Sequence, residues 1–212
     1  MAWRVVGLLS LAILAHAVII DRIAIVVNGK IIKQSDIERD ARVTEFLNRQ
    51  PLNLGPTAKK EAANRLIDQV FIRNEIEIGS YPRATLSDAD KELDQIKSQR
   101  YRSNVAFERA LSSYGLTQIE LRTEFQWQLT VLNFIDLRFK PAAVVSDEEI
   151  QKYYEEHRVA VERANPGKTT IDDFRSEIEN ILSGEKVNQL FFSWLDAQRK
   201  QAKIQYLEEG LA

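Results

Sequence analysis

The sequence contains no cysteine and only two histidines among its 212 residues. The absence of cysteine excludes disulfides, zinc–thiolate sites, a thiol nucleophile and a lipid-modified cysteine anchor. His157 has no second histidine one helical turn away, which a metal or catalytic pair on a helix requires. Glycine-rich phosphate loops and G-x-S-x-G nucleophile motifs are also missing. We therefore predict no catalytic residue, no metal site and no cofactor.

The sequence also lacks an excess of charge of either sign. It has 29 basic and 31 acidic residues, interleaved along the chain, and a formal net charge of −2. Nucleic-acid binding needs a basic stripe, so we expect no nucleic-acid partner. The acidic runs at residues 147–149 and 172–173 stand at predicted helix starts, where the helix dipole favours negative charge. These runs therefore do not indicate paired-carboxylate catalysis.

No apolar run reaches the roughly 20 residues that a membrane-spanning helix needs. Residues 1–17 have the pattern of a signal peptide instead. Arg4 supplies the positive charge, Val5–Leu14 is the apolar region, and Ala15-His16-Ala17 is a cleavage site of the small-x-small type. We expect export to the periplasm, with no stable membrane span after cleavage. An uncleaved N-terminal anchor is the alternative.

The first element predicted after the signal peptide is a β-hairpin. Residues 23–27 form a β-branched run, and Asn28-Gly29 is a strong turn signal because both turn positions take positive φ. Ser35 and Glu38 form an S-x-x-E capping box, which predicts that a helix begins directly after the second strand.

Most of the remaining chain is predicted to be helical, because apolar residues recur every three to four positions. Gly115 followed by Leu116 predicts a Schellman helix ending, in which glycine takes the left-handed conformation. Start signals divide the region into helices. The predicted helices begin at Ser35, Thr57, Ser87, Asn104, Thr117, Ser146 and Thr170.

The helix predicted from Thr117 to Phe139 has more apolar surface than one buried face requires. Its main stripe is Leu121, Phe125, Leu129, Leu132, Ile135 and Phe139, with Trp127, Val131 and Phe134 beside it. The arc is roughly 220° wide, whereas a stripe of about 100° is usual. This helix is therefore expected either to be buried on two sides or to offer one side to a partner.

The far end of the chain predicts a third strand. Residues 202–206 alternate with period two, and an isolated hairpin is only marginally stable in water. We therefore expect this strand to pair with the N-terminal hairpin. The predicted fold is mainly α with a small antiparallel sheet, in which the hairpin and its helices are closed by a C-terminal helix and strand.

Four sequence blocks, in their order, resemble the SurA-type periplasmic chaperones and their peptidyl-prolyl isomerase relatives. The blocks are DRIAIVVNGKIIKQSDIE (Asp21–Glu38), FERALSSYGLTQIELRTEFQWQL (Phe107–Leu129), VSDEEIQKYYEEH (Val145–His157) and FFSWLDAQRKQAKIQYL (Phe191–Leu207). The resemblance covers nearly the whole chain after the signal peptide. It implies a chaperone that holds unfolded outer-membrane proteins in transit.

One departure from the family pattern changes the expected function. A parvulin-type isomerase domain of about a hundred residues usually stands where this chain has only Arg158–Thr169. No residue matches a parvulin active site, so no catalytic residue is carried over. The resemblance implies a SurA-like N-terminal domain at 18–160, a short linker at 161–169, and a C-terminal helix and strand at 170–212 that pack back on the N-terminal domain.

Three functional hypotheses follow. The leading one is an ATP-independent periplasmic holdase that binds extended, aromatic-rich segments of unfolded envelope proteins. The second is a residual peptidyl-prolyl isomerase activity, for which family resemblance is the only motive. The third is a non-enzymatic envelope adaptor or dimerisation module, whose apolar surface binds one fixed partner or a second copy of the chain.

Client-binding residues are sought among aromatic and apolar positions outside the main stripes. The predicted set is Phe46, Tyr101, Trp127, Val131 and Phe134. The alternative for each aromatic position is that it packs between the N- and C-terminal segments. Phe191 and Trp194 are assigned to the core that closes against the hairpin.

Overall fold

The computed structural model describes residues 21–164, 167 and 169–211, so the predicted signal peptide lies outside the described residues. Within them the fold class is as predicted: helices dominate and a three-stranded antiparallel sheet joins the two chain ends. The strands are β1 (Ile23–Val27), β2 (Lys30–Lys33) and β3 (Ile204–Tyr206). The helices are α1 (Gln34–Asn48), α2 (Pro56–Ile78), α3 (Leu86–Arg100), α4 (Asn104–Ser113), α5 (Gln118–Phe139), α6 (Asp147–Ala164) and α7 (Ile171–Gln201), with a 3₁₀ turn at Lys140–Ala142.

The central strand of the sheet is β1, which pairs with β2 on one side and β3 on the other. Val26 lies opposite Ile31 of β2 and opposite Gln205 of β3, which confirms the predicted pairing of the chain ends. Asn28 also joins the ends, because its side-chain oxygen accepts a 2.8 Å hydrogen bond from the Lys203 amide. Asn28 and Gly29 have φ values of 48° and 83°, as a two-residue hairpin turn requires.

The main core lies between the sheet and helices α2, α5 and α7. Phe134 on α5 is at its centre, and its ring centroid lies 5.8 Å from that of Phe139 and 5.7 Å from that of Trp194. Phe191 packs on Phe139 at 5.7 Å. The assignment of Phe191 and Trp194 to the core is therefore confirmed.

Two smaller clusters extend this core. Side chains of α1, α3, α4 and the first half of α5 form the second cluster, with Phe107, Leu111 and Leu121 fully buried. The third lies between α6 and α7 and includes Phe174 and Ile178. Residues 161–164 of the predicted linker belong to α6, whereas residues 165, 166 and 168 lie outside the described part of the chain.

Several predicted helix boundaries are confirmed by their hydrogen bonds. Glu120 accepts the Thr117 amide at 2.8 Å, which begins α5 with a capping box. Gly115 has a φ of 65°, and the Leu116 amide donates to the Leu111 carbonyl at 3.0 Å, as in a Schellman motif. The helix starts predicted at Ser146 and Thr170 are also confirmed, and each of them has a capping box.

Other predicted helix starts are wrong by one or two residues. The Lys33 amide donates to Asp36 at the start of α1, while the Ser35 amide donates to Asp21 at 3.3 Å. Ser35, which was expected to cap the helix, therefore donates to Asp21 instead. The remaining starts differ because a neighbouring residue caps the helix. Gly55 precedes α2, Thr85 precedes α3 and Ser103 precedes α4.

The predicted apolar stripe of α5 is wrong at Leu132, whose surface is 59% exposed. The buried positions near it are Thr130 and Phe134. Thr130 can be buried because its hydroxyl accepts the Ala84 amide at 3.0 Å and donates to the Gln126 carbonyl at 2.7 Å. No helix in the described part of the chain is long and apolar enough to span a membrane.

Candidate functional site

A groove of about 500 Å³ lies between helices α1, α2 and α5, and strand β2 closes one end. Its volume falls within the range of roughly 300–1,000 Å³ that is typical of ligand sites. Strand β2 and helix α1 contribute Lys30, Ile31, Ile32, Asp36, Arg39, Asp40 and Val43. Helix α2 contributes Leu66, Gln69, Val70, Arg73, Asn74 and Glu77, and α5 contributes Ile119, Glu120, Thr123, Glu124 and Trp127.

Helical spacing explains why these side chains share one cavity. The lining residues of α2 and α5 are single residues or adjacent pairs that recur every three or four positions, which places them on one face of each helix. The capping box at Thr117 fixes where α5 begins, and thereby which of its residues face α2. The α1 wall follows β2 directly in sequence, so the hairpin positions that wall.

The groove has an apolar floor and two exposed isoleucines at its rim. Ile32 and Val43 are buried, while Leu66 and Val70 are partly buried against the main core. Exposed fractions are much larger at the rim, with 54% for Ile31 on β2 and 76% for Ile119 on α5. Ile31 and Ile119 therefore add exposed apolar surface to the rim of the groove.

Arg73 and Trp127 meet across the groove. The guanidinium carbon of Arg73 lies 3.7 Å from the centroid of the Trp127 ring, a close cation–π contact. Burial lowers the pKa of Arg73, because a desolvated guanidinium is less stable in its charged form. The charge is therefore held against an aromatic ring, although the Arg73 residue as a whole remains exposed.

Two carboxylates in the groove are also desolvated. Burial raises the pKa of Asp40, although Arg65 donates to it at 2.9 Å from Nε. Burial likewise raises the pKa of Glu124, to which the Gln128 amide donates at 3.0 Å. Because both carboxylates are partly buried, charge–charge interactions with them are stronger than they would be at an open surface.

The lining of the groove offers apolar and charged side chains for non-covalent contacts. Within the described residues, no group of three or more His, Asp or Glu side chains is placed to hold a metal ion. His157 is outside the groove lining, with its ring stacked on Tyr153 at 4.1 Å and Nδ1 2.9 Å from the Tyr153 carbonyl oxygen. An apolar floor between polar walls can hold a segment of extended chain.

The five predicted client-binding residues fall into different environments. Trp127 lines the groove, and Val131, one turn later, is partly buried against the main core. Phe134 is buried against Trp194 of the C-terminal segment, which matches the packing alternative. Phe46 is also buried, among aromatic residues of the second cluster, and Tyr101 stacks on it at 6.4 Å. In this conformation the rings of Phe46 and Phe134 offer no surface to a client.

The sequence reasoning did not identify the charged residues of the groove. Arg73, Asp40 and Glu124 look like ordinary solvent-facing positions of amphipathic helices. The one available signal was that Glu120 and Glu124 share a helix face with Trp127. That signal becomes informative only when α2 is known to lie opposite α5.

A solved structure shares the architecture described above. The alignment covers 89% of this chain and 100% of the solved chain, with a TM-score of 0.53 and 12% sequence identity. The solved chain is one of two structurally related SurA-like chaperones of Campylobacter jejuni, the virulence factor PEB4 and the periplasmic protein Cj1289. This chain has the fold of the SurA-like chaperones. The superposition thus confirms the SurA-like fold that the four sequence blocks predict.

Sequence comparison finds relatives of this chain at low identity. Two are foldase proteins PrsA of Clostridium botulinum, from strains Loch Maree / Type A3 and 657 / Type Ba4. Each is 22% identical over 148 residues, which cover 62% of this chain. The match spans 44% of the length of each relative, so this chain corresponds to less than half of them. No protein-family model matches the chain.

Proposed function

We propose that this protein is an ATP-independent chaperone that holds unfolded exported polypeptides, outer-membrane proteins among them. The observation that carries the proposal is the groove, which combines an apolar floor, exposed isoleucines at the rim and desolvated charges. An unfolded chain exposes apolar side chains together with polar backbone groups. A groove with both kinds of surface can cover the apolar side chains without leaving the polar backbone groups unpaired.

The proposed location is outside the cytoplasm, in the periplasm. Support comes from the signal-peptide pattern at residues 1–17 and from the description of a structural neighbour as a periplasmic protein. The SurA-like fold and the foldase name of the sequence relatives agree with a role in handling unfolded proteins.

The groove is expected to bind each client segment weakly and reversibly. An extended segment loses conformational entropy when it is held, at a cost of about 1–2 kcal/mol per residue for the backbone. Apolar burial offsets this at roughly 25 cal/mol per Å². A groove of this size therefore holds a client without folding it and can release it for later assembly.

The test removes apolar surface at the rim without touching the core. Ile119 occupies the second position of α5 and is 76% exposed, so Ile119→Asp is expected to fold normally. The matched control is Val105→Asp, since Val105 occupies the second position of α4, is 66% exposed and lies outside the groove. Aggregation of an unfolded outer-membrane protein is followed by light scattering with each variant.

The proposal predicts that wild type and Val105→Asp suppress aggregation at near-stoichiometric amounts, and that Ile119→Asp needs several-fold more protein. No suppression by the wild type would contradict the chaperone role. Equal suppression by all three proteins would contradict the assignment of that role to the groove.

Isomerase activity is the second candidate, because the sequence relatives are named foldases. The shared region spans 44% of those proteins, which leaves more than half of each without a counterpart here. We propose that the chain works without isomerase activity. A refolding assay limited by proline isomerisation checks this: acceleration by catalytic amounts of the protein would contradict the proposal.

A further inference from the structure

The α5 wall of the groove carries negative charge without a direct cationic partner. Glu120 and Glu124 lie one turn apart and line the groove beside Trp127. Glu120 accepts from the amide and hydroxyl of Thr117 at 2.8 and 2.7 Å, and Glu124 accepts from the Gln128 amide at 3.0 Å. Among the described residues, neither carboxylate has a lysine or arginine nitrogen within 4.0 Å.

The other three carboxylates of the groove are each paired with an arginine. The pairs are Asp36–Arg39, Asp40–Arg65 and Glu77–Arg83. Arg73 and Arg39 exert favourable fields on Glu124, while Asp40 exerts an unfavourable one, and the Arg73 guanidinium is stacked on Trp127. The net effect of the surroundings is still to raise the pKa of Glu124, because burial outweighs the favourable interactions. The desolvated charge on α5 is therefore only partly compensated.

The spacing on α5 matches that of an extended polypeptide. In an extended chain, residues two positions apart point to the same side and are separated by about 6.4–6.8 Å. One turn of an α-helix advances about 5.4 Å. Glu124 lies three residues from Trp127 along α5, about 4.5 Å, and Glu120 lies seven residues away, about 10.5 Å. A guest that places an apolar side chain on Trp127 can therefore bring the side chain two positions away between these two carboxylates.

We infer that the groove selects extended polypeptide segments in which an apolar side chain and a lysine or arginine stand two positions apart. The apolar side chain contacts Trp127 and Val70, and the cation pairs with the carboxylates of Glu124 and Glu120. This specificity rests on the proposed function and adds a charge preference to it. Acidic segments bind more weakly because their carboxylates face the same desolvated negative charge.

The test uses three peptides of equal length in which leucines stand two positions before and two positions after one variable residue, so that all three side chains point to the same side. The peptides differ only at that variable residue. That position carries lysine, glutamine or glutamate, and a fluorescent label on each peptide reports binding by anisotropy. The inference predicts that the lysine peptide binds on the order of 3- to 10-fold more tightly than the glutamine peptide. The glutamate peptide should bind most weakly, and added salt should reduce the differences in affinity among the three peptides.

A variant and a matched control test whether the preference for lysine arises in the groove. Glu124→Gln keeps the size of the side chain and removes a desolvated charge, so the fold is expected to persist. It should bring the affinities of the lysine and glutamate peptides together. The control is Glu185→Gln, because Glu185 is exposed on α7 outside the groove lining. That variant should keep the wild-type order of affinities.

The outcomes separate the inference from the function on which it rests. Equal affinity for all three peptides, or a preference for glutamate, overturns the charge preference while the chaperone role stands. A lysine preference that survives Glu124→Gln overturns its assignment to α5. Failure of all three peptides to bind contradicts the proposed function itself.

Discussion

The guanidinium of Arg73 covers the ring of Trp127 at 3.7 Å and links α2 to α5 across the groove. A second tryptophan, Trp194, lies in the main core beside Phe134. The two rings therefore sample different parts of the molecule. Trp127 is placed to respond to a guest in the groove, whereas Trp194 responds mainly to the packing of α5 against α7.

This difference predicts a fluorescence signature of client binding. A peptide that enters the groove changes the surroundings of Trp127, because it displaces water or shifts Arg73. Emission of the wild type is therefore expected to change in a saturable way during titration with an unfolded segment. Trp194→Phe should retain the change, and Trp127→Phe should lose it. A response that disappears with Trp194→Phe instead would place the guest elsewhere.

Phe134 and Leu132 both belong to the apolar arc of α5, but they differ strongly in burial. Phe134 is fully buried, so Phe134→Ala should lower the free energy of unfolding by about 3–5 kcal/mol. Leu132 is mostly exposed, and Leu132→Ala should change it by no more than about 0.5 kcal/mol. Guanidinium denaturation followed by circular dichroism measures both values. Similar losses for the two variants would contradict the observed orientation of α5.

The contacts at the start of α3 predict a low pKa for Asp88, which can be measured. The Thr85 hydroxyl donates to Asp88 at 2.6 Å and Lys91 pairs with it at 3.0 Å, which lowers the pKa of Asp88 to about 2. Carboxyl chemical shifts followed by NMR should show this value in the wild type. Thr85→Ala should move the pKa up towards the ordinary value of 3.8, while Thr85→Ser keeps the hydroxyl and the low value.

The lowered pKa of Asp88 also predicts how the stability of the fold changes with pH. Because the pKa of Asp88 is lower in the folded state, its ionised form favours folding above the ordinary pKa of 3.8. That contribution is lost as the pH falls from about 4 towards 2. The wild type should lose more stability than Thr85→Ala over this window. An equal loss in both proteins would contradict the cap.

The fold was predictable where signals are local. Asn28-Gly29 can form few structures other than a tight turn, and the alternation at residues 202–206 indicates a strand. An N-terminal hairpin with no other candidate partner then makes closure by that strand the simplest arrangement. The capping box at Thr117–Glu120 is equally local, and it located the start of α5 correctly.

The errors arose where a contact distant in sequence overrides a local signal. Asp21 accepts from Ser35, so the serine does not cap α1 as its motif predicts. Thr130 is buried in place of Leu132 because Ala84, 46 residues away in sequence, donates to its hydroxyl. The groove depends on such contacts entirely, since it exists only where α2 faces α5. Periodicity alone therefore could not separate Trp127 from the buried Phe134.

A photo-crosslinking amino acid placed at Thr123 tests most directly whether the groove holds extended polypeptide. Thr123 is exposed within the groove, and its hydroxyl donates to the carbonyl of Ile119 in the preceding turn. Ser98 on α3 is a matched control position, because it is exposed outside the groove and donates to Gln95 in the same way. Each labelled protein is mixed with an unfolded outer-membrane protein, illuminated and analysed by mass.

The account predicts abundant adducts from position 123 and few from position 98. Addition of an excess of unlabelled lysine–leucine peptide should remove the adducts at position 123. Equal yields at both positions, or adducts that form only at position 98, would contradict the claim that the groove between α1, α2 and α5 is where this protein holds its clients.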